Sequence, residues 1–129
     1  MIPITVDRIV DGDTLVGTIH LPYEVDLRNQ EIRALGYDAW ESRHVQRTGS
    51  ASISDEELAK GKAAREFFAS LIHSGPVFIE EGKRPWDSFG RALATIYVKC
   101  LGVTIDVAKE MTDNGHTRQP QRMLGPNEI

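Results

Sequence analysis

Six side chains in this sequence have the types and spacing for chemistry: Asp11 and Asp13, two apart; Asp38 and Glu41, three apart; and the arginines Arg33 and Arg91. Four carboxylates offer oxygen donors suited to a hard divalent cation, and one of them can orient or deprotonate a water. A guanidinium matches two oxygens of a phosphate and stays charged at any working pH. Acids, cation and arginines together are what metal-assisted hydrolysis of a phosphodiester requires. Taken singly, each residue has a plainer use. Asp-Gly-Asp occurs in ordinary turns, and an arginine on a strand or loop commonly makes a surface ion pair. The chemical reading therefore needs all six in one place.

Other reactive types carry less. His20, His44, His73 and His116 show no H-x-H or H-x-x-x-H spacing, so no zinc site is expected. The acidic segment lacks the twelve-residue ligand loop of an EF-hand. Cys100 has no second cysteine to pair with and reads as a small packing residue. Trp40 and Trp86 can either stack on bases or pack at a barrel rim. Lys83, Arg84, Arg118 and Arg122 can meet phosphates or simply face water.

The elements that must position the six residues follow from periodicity. Ile4 to Val10 is rich in β-branched residues and reads as a strand, and Thr14 to Leu21 alternates as a half-buried strand. Asp11-Gly12-Asp13 between them is a tight turn, with Gly12 free to take a positive φ. A third strand over Gln30–Tyr37 carries Arg33 and delivers Asp38 and Glu41 at its end. Ser54-Asp55-Glu56-Glu57 is a capping box that opens a helix of about five turns, ending near His73 before Ser74-Gly75-Pro76. Ala64, Phe67, Phe68 and Leu71 form its apolar face. Strands are expected at Val77–Glu80 and Leu93–Val98, and a short helix at Thr104–Asn114 ending at Gly115. The fold expected is mainly β with α: a five-stranded Greek-key barrel of the OB type with an inserted long helix and a short C-terminal helix. Residues 1–117 form the domain and 118–129 a polar tail.

The bulk numbers suit such a domain. The chain has 129 residues, 40% hydrophobic and 26% charged, enough to bury a core without disulfides. No apolar run approaches a bilayer span, and the start lacks the basic and apolar regions of a secretory signal. A cytoplasmic monomer without membrane attachment is expected, with a mature secreted form left open. The net charge of −4 argues against a broadly basic nucleic-acid surface. The excess acid lies in residues 1–60, with 6 Lys/Arg against 11 Asp/Glu; residues 61–129 carry 9 against 8. The four carboxylates named above account for the whole imbalance.

Three separated motifs, in order, add a resemblance. Val10-Asp11-Gly12-Asp13-Thr14, then Ile32-Arg33-Ala34-Leu35-Gly36-Tyr37-Asp38-Ala39-Trp40-Glu41, then Asp87-Ser88-Phe89-Gly90-Arg91-Ala92-Leu93-Ala94 resemble the staphylococcal nuclease (thermonuclease) family over about residues 4–117. The resemblance implies an OB-fold nuclease that uses Ca²⁺, with Mg²⁺ the lesser alternative, on single-stranded or flexible DNA and RNA. By that likeness Asp13 and Asp38 are side-chain metal ligands, the Ala39 carbonyl is a backbone ligand and Asp11 lies in the outer shell. Glu41 is then the general base or water-orienting group, and Arg33 and Arg91 contact the scissile phosphate. The chain departs from the family pattern at Trp40, where proline is usual, at Ser88 and Phe89, and in a tail without a tyrosine pair. The function expected is metal-dependent hydrolysis of DNA and/or RNA with low base specificity. The alternative is a nuclease-like barrel that binds a partner with weak or no catalysis.

Overall fold

A computed structural model describes residues 1–40 and 54–118. Strands β1 (Ile2–Asp11), β2 (Thr14–Leu21), β3 (Val25–Ala34), β4 (Val77–Trp86), β5 (Ala92–Cys100) and β6 (Val103–Asp106) join helices α1 (Asp55–Ile72) and α2 (Val107–Asp113). The strands run β3-β2-β1-β4-β5-β6 across the sheet, and β3 also pairs with β5. That last pairing is parallel and joins Ile32, Arg33 and Ala34 to Ala92, Leu93 and Ala94. It closes β1 to β5 into a five-stranded OB-fold-like barrel, the architecture expected from the sequence. β6 is a short addition, folded back antiparallel on the end of β5.

Inward residues alternate along β5, where Ala92, Ala94, Ile96 and Val98 are all buried. They meet Leu15 of β2 and Ile32 of β3, both fully buried, in one core. Ser54 caps α1 by accepting the Glu57 amide at 3.2 Å, as the sequence indicated. The helix then buries Ala64, Phe68 and Ile72, while Phe67 and Leu71 are only partly covered. Phe68 has no exposed surface, which contributes about 1.5–3 kcal/mol for a side chain of its size.

The strand limits differ from the expectation where polar residues hide the alternation. β3 starts at Val25, five residues early, because of its first five residues only Leu27 is partly covered and the other four face water. It stops at Ala34, short of Tyr37, since Gly36 turns the chain with φ of 99°. β4 runs on to Trp86 through an exposed polar stretch with a shifted register. The expected helix over Thr104–Asn114 begins three residues later. Val103, Thr104 and Ile105 are β-branched and pair with β5 instead, and Asp106 caps α2 by accepting the Ala108 amide at 3.0 Å. Among the described residues no helix is long and apolar enough to cross a membrane.

Candidate active site

The β1–β2 hairpin ends in a two-residue turn, Gly12-Asp13, with Asp11 opposite Thr14. The turn is tied to β3 by the Ala34 amide, which donates to the Asp13 carbonyl at 2.8 Å. Gly12 does not use the positive φ open to it. Its need for glycine is spatial: a Cβ there would lie 2.9 Å from the Ala39 Cβ and 3.0 Å from the Ala64 Cβ. Hairpin, α1 and the segment after β3 therefore converge at a point where only a hydrogen fits.

Asp13 is buried at 5% exposure, and burying a carboxylate is costly unless it is hydrogen-bonded and paired. It is both. Oδ1 accepts the Thr14 hydroxyl at 2.9 Å, and Oδ2 accepts the Ala39 amide at 3.0 Å. Arg33 Nη2 stands 3.5 Å from the same Oδ2 and also forms a short ion pair with Asp38 Oδ1. One guanidinium thus bridges a buried carboxylate and a largely exposed one. Tyr37 supports the turn from below, donating its hydroxyl to the Gly12 carbonyl at 2.7 Å. Burial pushes the Tyr37 hydroxyl well above its ordinary pKa and the Asp13 charge adds to this, outweighing Arg33. It therefore stays a donor.

Arg91 is held by a different acid. Asp87 accepts the amides of Phe89 and Arg91, each at 2.9 Å, through Oδ1, and Arg91 Nε at 2.7 Å through Oδ2. Desolvation works against the charged form of Asp87, but the hydrogen bonds from Arg91 and Phe89 and the Arg91 charge outweigh it and hold the carboxyl below its ordinary pKa. Arg91 immediately precedes β5, and the parallel register sets Leu93 beside Arg33. Because Ala92 and Ala94 point inward with Ile32 and Ala34, Arg91 and Arg33 share the outer side of this strand pair.

Of the residues singled out from sequence, Asp13, Asp38 and Arg33 meet directly, and Ala39 joins them through its amide. Arg91 lies on the neighbouring strand end, and Asp11 ends β1 half-exposed. Glu41 lies outside the described residues. Sequence reasoning passed over Thr14 and Tyr37, which hold Asp13 and its turn. It also gave no role to Asp87, whose place four residues before Arg91 in a turn with Gly90 was the available signal.

Among the described residues no three His, Cys, Asp or Glu side chains gather as a metal cluster. The pair that does converge, Asp13 and Asp38, consists of hard oxygen donors, which fit Ca²⁺ or Mg²⁺ and not a soft ion. Their shared guanidinium shows that this point already draws positive charge.

The family described as staphylococcal nuclease homologue matches residues 31–126, a span holding Arg33, Asp38 and Arg91 but starting after Asp11 and Asp13. Endonuclease YhcR of Bacillus subtilis (strain 168) is 31% identical over 112 residues, covering 86% of this chain. The chain spans only 8% of that relative's length. With three quarters of its residues matched, the chain belongs to the staphylococcal nuclease homologue family.

Proposed function

We propose that this chain is a metal-dependent phosphodiesterase that hydrolyses DNA and/or RNA with low base specificity. Family membership supports a nuclease-type function, and one observation carries the finer reading. Arg33, bridging Asp13 and Asp38, shares the outer side of one strand pair with Arg91. Two cationic forks beside two carboxylates match the needs of a phosphate that gains negative charge as its bond breaks.

In this reading Asp13, Asp38 and the Ala39 carbonyl would hold Ca²⁺, with Asp11 in the outer shell. The ion, when bound, supplies charge stabilisation and a more acidic water. The chain's own residues do the rest. Asp87 and the Asp13–Asp38 pair fix Arg91 and Arg33 before substrate arrives, so little ordering is left for the reaction step. Glu41 orients or deprotonates the attacking water. The substrate is single-stranded or flexible nucleic acid, whose phosphates can enter without distorting a duplex.

The experiment is digestion of labelled single- and double-stranded DNA and RNA with Ca²⁺, Mg²⁺ or EDTA, followed by identification of the termini. Cleavage with Ca²⁺, its arrest by EDTA and a loss of about a hundredfold or more in Arg33→Ala, Arg91→Ala and Glu41→Ala are expected. Undiminished turnover in all three variants would remove the reading. The chain's net charge of −4 favours a second one, a binding module of the same fold. Tight binding of a partner without metal-dependent turnover would select it.

A further inference from the structure

Trp40 stands where the family pattern has proline, so no pyrrolidine ring locks φ after Ala39. That torsion matters, because the Ala39 carbonyl and the Trp40 amide share one rigid peptide plane. The carbonyl is the backbone oxygen assigned above to the ion. Two cations hold the half-buried Trp40 side chain instead. Lys60 Nζ lies 4.9 Å from the centre of the indole, and the Arg118 guanidinium carbon lies 5.7 Å from it. Both distances fall where the negative face of an indole attracts a cation. Lys60 belongs to α1 and Arg118 to the segment after α2, so the ring ties together elements far apart in sequence.

The segment after α2 is itself anchored. The Arg118 amide donates to the Asp38 carbonyl at 2.6 Å, and Thr117 bridges Ala39 in antiparallel register. The His116 amide donates to the Met111 carbonyl at 2.9 Å, and the His116 ring stacks on Phe67 at 4.7 Å. Lys60, Ala64 and Phe67 lie at i, i+4 and i+7 of α1. One stripe of that helix therefore meets Trp40, the Gly12 turn and His116 in succession. On its other side Ala39 gives its amide to Asp13 Oδ2.

We propose that Trp40, clamped by Lys60 and Arg118, is a positioning residue that fixes the peptide plane carrying the Ala39 carbonyl. The inference rests on the nuclease reading above and adds three residues that act through Ala39. Its sign separates it from plain electrostatics. Positive charges near a cation site repel the ion, so removing one for its charge alone would tighten Ca²⁺ binding. Removing one that acts through Trp40 loosens the carbonyl and weakens binding.

The test titrates the full chain with Ca²⁺ alone, by calorimetry and without nucleic acid. Lys60→Gln and Arg118→Gln change exposed positions. Each is expected to weaken Ca²⁺ binding about threefold, and the pair about tenfold, in line with one and two lost cation–π contacts. Trp40→Leu keeps an apolar side chain without a π-face and should match the double variant. Adding the two Gln substitutions to Trp40→Leu should cost nothing further, and Trp40→Tyr should restore most of the affinity. A merely structural role for Trp40 would not produce that coupling. Unchanged or tighter Ca²⁺ binding in the Gln variants, or equal losses with and without the indole, overturns the proposal. Wild type that takes up Ca²⁺ but cuts no nucleic acid defeats the nuclease reading alone; wild type that takes up none defeats both.

Discussion

Gly12 and Ala39 approach so closely that a methyl group on Gly12 would sit 2.9 Å from the Ala39 Cβ. The contact joins the hairpin that carries Asp13 to the segment that carries Asp38, so the spacing of the two acids is set by a missing side chain. Gly12→Ala is expected to lower stability by about 1–3 kcal/mol, as overpacking does. Ala39→Gly in the same chain should recover part of the loss, because contact with Ala64 remains. Chemical denaturation of the four proteins measures this, and the absence of recovery would place the strain elsewhere.

Asp13 has a structural duty apart from any ion. It accepts the Thr14 hydroxyl and the Ala39 amide and faces Arg33. Asp13→Asn keeps the shape but removes the charge and sets an amide donor among donors. A loss of about 1–3 kcal/mol is expected even in EDTA, from buried groups left without good partners. Unfolding at wild-type denaturant concentration would mean that the hydrogen bonds around Asp13 contribute nothing net.

Arg33 and a divalent cation would serve the same two carboxylates. Arg33→Ala removes the guanidinium between Asp13 and Asp38 and is expected to destabilise the chain in EDTA. Calcium should then raise the melting temperature of the variant more than that of wild type, since binding only to the folded state adds stability by mass action. Equal calcium shifts in the two proteins would show that these acids do not share the ion with Arg33.

The Asp87 turn should respond to acid. The folded-state pKa of Asp87 lies below its ordinary value of 3.8, so its charged form is favoured by folding. Its contribution is complete above that ordinary value and is lost as pH falls through the lower, folded one. Asp87→Asn is expected to flatten the pH dependence of stability in that acid range. At neutral pH it should weaken cleavage by freeing Arg91, more in kcat than in KM. An unchanged acid profile in the variant would detach the turn from Asp87.

Much of this arrangement is legible in the sequence because it depends on local patterns. The alternation from Thr14 to Leu21, the Ser54 cap and the Gly12-Asp13 turn each follow from neighbouring residues, and the three motifs bring the site residues into view by type and order. The later start expected for β3 had a physical cause, since Val25, Asp26, Arg28 and Asn29 face water and only Leu27 is partly covered by the core.

What the chain alone determined was which residues are available: the acids, the arginines, and the strands and turns that carry them. The tertiary structure decided their partners. That Asp13 accepts the Ala39 amide, that Gly12 is packed against Ala39 and Ala64, and that β3 pairs in parallel with β5 depend on segments far apart in sequence. Local propensity has no term for such meetings. Closure of the barrel supplies it, by burying Ile32, Ala34, Ala92 and Ala94 together and so leaving Arg33 and Arg91 on one outer side.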